Sequence, residues 1–246
     1  MSRTFGLTSA AFTAALVFCG TLSGAAAAQT ASFVVVHGIP GRDVAAGLDP
    51  TLPVDVQVDG KYCLLQGLTF GTIAGPFDVP AGTYSVAISL ANPIKPCSNG
   101  AVISGNVTLA AGEFGSVVAA LSRAGKPTAE VFAVDASPVA AGMQRIITAH
   151  AADVPPVTVV ATSLGGGSTE KAAFSVDPGK ENESSVPTRT AFSLSVKPQG
   201  APLLPAYQLA RFGAPLGDQS VSLVFAVGSA ATGSATLLTR TLSSVH

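Results

Sequence analysis

Apolar and polar residues alternate with a period of two along much of this chain, the mark of strands with one covered face. In VDVQV, residues 54–58, three valines point one way and Asp55 and Gln57 the other. In YSVAISL, residues 84–90, Tyr84, Val86, Ile88 and Leu90 share a face opposite Ser85, Ala87 and Ser89. Similar alternation marks residues 107–109, 117–121, 131–134, 157–161, 192–196 and 221–227. Asp59-Gly60, between VDVQV and KYCLL, accepts the positive φ angles of a tight hairpin turn and puts Cys63 on the second strand. Beyond the N-terminal segment no amphipathic helix stands out. Short strands between Gly/Pro turns predict an all-β sandwich or barrel rather than an α/β fold.

The pattern also repeats. FVVVH (33–37) precedes a Pro-containing connection and VDVQV; IITAH (146–150) precedes PPVTVVA. VPAGTYSVAIS (79–89) is echoed by VPTRTAFSLSV (186–196), and GEFGSVVAAL (112–121) by GDQSVSLVFAV (217–227). The expected layout is two tandem sandwiches, 29–137 and 145–246, joined by a linker at 138–144 within the small-residue stretch DASPVAAGMQ. His37 and His150 mark the same place in each repeat, in phase with Phe33 and Val35 and with Ile146 and Thr148. Neither brings a nearby Cys, Glu or second His. The expected role is an imidazole hydrogen-bonding backbone at a strand end.

The first residues read differently. Arg3, an apolar run from Phe12 to Leu22 and the small residues Ala26-Ala27-Ala28 predict a secretory signal over 1–28, cut between Ala28 and Gln29. The run is shorter than the ~20 residues that span a bilayer. Cys19 follows Phe18, where a lipid-attachment box needs a small residue. The expected product is secreted, periplasmic or on the cell surface, with no integral membrane segment in the mature chain.

Composition agrees with export. Charged residues are 11% of the chain and the formal charge is −1, which invites neither nucleic acid nor an anionic membrane. Ser, Thr, Gly and Ala must cover much of the surface. Cleavage would leave two cysteines, Cys63 and Cys97, most simply a disulfide in an exported protein. It would close a loop of roughly 35 residues and contribute ~3–4 kcal/mol on the chain-entropy account.

The first repeat resembles a known family. The pattern VVVH, PVDVQVDGK, LTFGT, VPAGTYSV and LAAGE, at 34–37, 53–61, 68–72, 79–86 and 109–113, is similar to domain-of-unknown-function family 4397 (DUF4397) of exported bacterial and archaeal proteins. RIITAHAADVPPVTVV, 145–160, resembles it more weakly. The resemblance implies immunoglobulin-like or transthyretin-like sandwiches on secreted or surface-attached proteins, and brings no activity or catalytic residue. GRDVAAGLDPT (41–51) is an insertion relative to the family pattern, and LGGGS (164–168) replaces Asp-Gly-Lys in the second half.

Catalytic chemistry finds little support. There is no G-x-S-x-G elbow, and a triad has only His37, His150 and His246 to draw on. H-E-x-x-H, clustered Cys/His and D-x-D-x-D loops are absent, so no metal or cofactor is expected. Asp55 and Asp59 read as a solvated edge. Glu113, Glu130, Asp153 and Asp177 read as surface charges, although paired carboxylates can meet only in three dimensions. GGG at 165–167 reads as a turn, and SVDPGKENESSVPTR (175–189) as an exposed loop. Asn106-Val-Thr108 and Asn182-Glu-Ser184 match a glycosylation acceptor pattern. With no Trp and three Tyr, a sugar-stacking platform is disfavoured. The expected function is a non-catalytic structural, binding or adhesion module whose partner is a protein or cell-envelope polymer. The alternatives are a hydrolase with an interdomain site and a small-ligand carrier.

Overall fold

A computed structural model describes residues 29–163, 171–188, 192–199, 210–211 and 219–242. Residues 1–28, where a signal is expected, the LGGGS run and His246 lie outside the described residues. The first half holds β1 (Thr30–His37), a single helical turn α1 (Gly41–Val44), β2 (Val54–Val58), β3 (Tyr62–Leu68), β4 (Ile73–Pro80), β5 (Gly82–Leu90), β6 (Ala101–Leu109), β7 (Phe114–Leu121) and β8 (Pro127–Val134). The second holds β9 (Met143–His150), β10 (Val157–Ser163), β11 (Lys171–Val176), β12 (Glu181–Pro187), β13 (Phe192–Pro198), β14 (Ala210–Arg211), β15 (Val221–Val227) and β16 (Thr236–Leu242). The protein is all-β, as the alternation predicts.

Sheet order repeats across the halves. Strands pair as β4-β1-β7-β8 and β3-β2-β5-β6, then as β12-β9-β15-β16 and β11-β10-β13-β14. Each number in the second pair is eight above its counterpart. In both halves the histidine strand lies parallel to its neighbour, β1 with β7 and β9 with β15. The Asp59-Gly60 turn takes φ of 52° and 61°, the positive pair a two-residue hairpin needs.

The halves are not beads on a linker. One side of β1 and β7 faces the first half's second sheet through Phe33, Val35, Val117 and Ala119. The other side, with Val34, Val36 and Val118, packs with Ile147, Leu223 and Phe225 of the second half. A third core, with Ile146, Val157 and Val224, covers the far side of β9 and β15. Four sheets therefore stack in layers. Every residue of β7 and β15 is buried, so these strands are covered on both faces rather than half-buried, as continuous apolar runs such as SVVAAL require.

The connection between the halves joins this core. Val139 is buried in it, and Arg145 donates from Nη1 to the carbonyls of Asp135 and Ser137 at 2.8 and 2.9 Å. Arg145 also pairs with Asp135 at 3.3 Å and Glu183 at 2.8 Å. The inserted segment 41–51 adds to the seam: Arg42 donates to the Gly233 carbonyl, and the Ser234 hydroxyl donates to Asp43. Gly38 sits where chains touch, since a Cβ there would lie 2.7 Å from Val227 Cγ1 and 2.9 Å from the Ala119 carbonyl oxygen.

The polar stretch 175–189 differs from its expectation. Its central part is β12, an edge strand pairing antiparallel with β9 from Glu181↔Ala149 to Pro187↔Met143. Its exposed Glu181, Glu183 and Ser185 belong on an open edge, where charge discourages pairing with another chain.

Candidate functional site

The two histidines are fully engaged. His37 is 1% exposed and His150 is 0% exposed. His37 Nε2 lies 2.8 Å from the Leu52 carbonyl oxygen, and its Nδ1 accepts the Ile39 N–H at 3.4 Å. His150 repeats this with the Pro155 carbonyl at 3.1 Å and the Ala152 N–H at 3.3 Å. An Nδ1 that accepts fixes the Nε2–H tautomer. Leu52 and Pro155 each stand two residues before the next strand, so each imidazole clips the strand-to-strand crossing between sheets. Burial holds both pKa values below the ordinary 6.5, against the Leu52 bond at His37. At His150 the Pro155 bond and Asp177 oppose that lowering, and Arg123 reinforces it. Neither ring has a nitrogen left for a metal or a substrate.

A second construction occupies one end of the first half. Asp55 is 2% exposed, which corrects its reading as a solvated residue. Its carboxylate accepts N–H groups from Gly67 (2.9 Å), Asn92 (3.1 Å) and Cys97 (2.8 Å). Burial pushes its pKa up, but the bonds from Cys97, Gly67 and Asn92 outweigh that and leave it lowered. The β2–β3 register shifts between Val54 and Val56, and this bulge lets a buried carboxylate replace a ladder contact. Cys63 and Cys97 are disulfide-bonded, tying β3 to the loop 91–100. Inside that loop the Asn92 carboxamide oxygen accepts the Ile94 and Lys95 N–H groups, each at 3.0 Å. At its tip Ile94 is 94% exposed. Nearby, the β5–β6 pairing skips Val102, and both Leu90 and Val102 turn outward. Val44, Leu90 and Val102 then border one small apolar recess above His37.

The remaining carboxylates have separate surroundings. Asp59 Oδ1 accepts the Ser85 N–H at 2.9 Å, Glu113 accepts the Ala110 N–H at 2.6 Å, and Asp153 accepts the Ser229 hydroxyl at 3.2 Å. Glu130 is half-buried, and its carboxyl pKa is raised by burial. It shares an open cleft of about 560 Å³ between the halves with Arg123 and Asp177. Among the described residues no three Asp, Glu, His or Cys side chains gather as a metal site.

A cavity of about 310 Å³ lies inside the first half, between its two sheets. Phe33, Val35 and Val117 form one wall, and Val56, Val86 and Leu109 belong to the other. Asp59, Tyr62 and Tyr84 stand at one end, where the Asp59-Gly60 hairpin turns. At roughly 24 cal/mol per Å³, leaving this space dry and empty costs at most about 7 kcal/mol. That is comparable with the whole stability of many domains.

The model of the family "Domain of unknown function (DUF4397)" matches residues 31–160, just over half of the chain. The protein belongs to the DUF4397 family. The match takes in β1 from Ala31 onward, β2–β8, the histidine strand β9 and the opening of β10. A search of curated proteins finds no match. Among solved structures, the Bacillus anthracis TIE protein is similar over 86% of this chain at 8% identity and a TM-score of 0.25; this chain covers 34% of it. Candidate cell adhesion proteins of Bacteroides ovatus and Bacteroides uniformis are each 10% identical, with TM-scores of 0.28 and 0.29. They are matched over 90% and 87% of this chain and 99% of theirs. At such TM-scores no role passes from those proteins to this one.

Within the DUF4397 pattern, VDVQVDG contributes a buried anchor at Asp55 and a hairpin at the cavity's end. Sequence reasoning found the turn and missed the anchor, because alternation assigns Asp55 to the open face and contains no mark of the bulge. Ile94 and the cavity were also missed. An isoleucine between two prolines in a loop closed by cysteines is the one local signal that singles out Ile94.

Proposed function

We propose that this DUF4397 protein is an exported, non-catalytic binding module that contacts a protein or cell-envelope polymer through the loop 91–100. The observation carrying this reading is Ile94, 94% exposed on a loop held by a disulfide, by Asp55 and by Asn92. An apolar tip on a mobile loop would lose entropy on binding; one already held in place loses less. Leu90 and Val102, at the ends of the two strands the loop connects, expose further apolar surface. The signal-like residues 1–28 and the disulfide support export, and the occupied imidazoles argue against acid–base work. Among the described residues no helix is long and apolar enough to cross a membrane.

The test is retention of the mature protein by the cell-wall fraction of its native culture, beside the Ile94→Asp variant. Retention of the parent and at least a tenfold loss in the variant are expected. Equal retention of both, or turnover of a generic ester, glycoside or peptide, would overturn the proposal. A hydrolase would have the Arg123, Glu130 and Asp177 cleft as its place between the halves, and Glu130→Gln would then abolish turnover.

A further inference from the structure

We propose that the cavity between the two sheets of the first half binds one uncharged aliphatic or alicyclic molecule, with its polar end at Asp59. This site lies at the other end of β2 from the loop 91–100 and is independent of the contact proposed for that loop. A dry apolar cavity of about 150 Å³ accommodates benzene, so 310 Å³ has room for about a dozen carbon atoms. It also falls within the size range of small-molecule sites.

The walls decide the ligand's chemistry. Apart from Asp59 at the end, the lining residues are apolar or tyrosine, so a charge carried inside would be stripped of water without a partner. The cavity's own surface is almost wholly apolar, and the Asp59 carboxylate stands at its exposed mouth, with Oδ1 accepting the Ser85 N–H and hydroxyl. A carboxylate head would meet that charge, and a hydroxyl could donate to it. Lys61 lies beside the entrance, with Nζ 5.4 Å from the centre of the Tyr62 ring. The Tyr84 hydroxyl donates to the Pro80 carbonyl oxygen at 2.5 Å and holds its ring at the rim. Leu64 is passed over in the β2–β3 pairing and lines the space. Tyr62 is 60% exposed, so the entrance is reached from solvent.

The test uses 1-decanol, n-decane and decanoate with the mature protein. Binding is read by thermal melts, methyl NMR shifts and tyrosine fluorescence, to which Tyr62 and Tyr84 contribute two of three fluorophores. At a hundredfold excess over Kd, 1-decanol should raise Tm by about 5 °C or more and shift the methyls of Val35, Val86 and Ile88. Decanoate should bind at least tenfold more weakly, and Asp59→Asn should narrow that gap. Val86→Phe, which fills the space, should abolish binding while keeping Tm at or above the parent's. The proposal is overturned if neither 1-decanol nor decane moves those methyls, or if decanoate binds best. It is equally overturned if a folded Val86→Phe protein binds 1-decanol as the parent does.

Discussion

Acidification should destabilise this protein through His37 and His150, and the size of the effect can be worked out. Both imidazoles are buried and neutral, with pKa values lowered by desolvation. In the unfolded chain each titrates near 6.5. Above that pH neither state binds the proton and the clips contribute in full. As pH falls below 6.5 the unfolded chain gains protons that the folded one refuses, so stability falls until the lowered folded pKa is reached. Each histidine removes up to about 1.4 kcal/mol per pH unit in that window, and two remove up to about 2.7 kcal/mol between pH 7.5 and 5.5. Glu130 acts in the opposite direction. Its raised pKa lets the folded state bind a proton first as pH falls toward 4.5, so the series belongs in a Glu130→Gln background. Asp55, lowered, contributes above 3.8 and stays out of this window. Urea unfolding at pH 7.5, 6.5 and 5.5, followed by far-UV circular dichroism, measures the slope. His37→Gln and His150→Gln should each remove about half of it. A stability that is flat from pH 7.5 to 5.5 would refute the reasoning, as would imidazole NMR titrations at or above 6.5 in the folded protein.

Three other outcomes follow from the packing. Asp55→Ala leaves three backbone N–H groups without their acceptor and should cost at least about 3 kcal/mol in urea melts; a loss below 1 kcal/mol would mean that water replaces the carboxylate. Joint replacement of Cys63 and Cys97 by serine should cost about 3–4 kcal/mol, and intact mass of the parent should show no free thiol. Phe225→Ala, in the core shared by both halves, should cost about 3–5 kcal/mol and keep calorimetric unfolding in a single transition. Two separate transitions would contradict a common core.

Much of the architecture was legible because strand periodicity is local. The valines of VDVQV, the Asp-Gly turn and the order of echoes between halves all correspond to observed strands, and the echo of His37 in His150 tracks a shared topology. Alternation failed at bulges. Once the ladder skips Val102, Leu90 and Ser89 exchange the faces that the period assigns them, and the bulge beside Asp55 turns a polar residue inward. It also failed at β12, where the polar sequence is that of an edge strand rather than a loop.

The sequence by itself determined the elements: which residues extend, where the chain turns, that the pattern occurs twice, and that two cysteines stand ready to pair. It could not decide what covers the second face of β1, β7, β9 and β15, because a run such as FVVVH specifies only that both faces avoid water. Tertiary structure chose the other half of the chain as that cover. It also enclosed Asp55 within reach of three N–H groups and left a space between Val35 and Val86. Those outcomes depend on contacts between residues far apart in the chain, and a residue's own neighbours along the sequence carry no record of them.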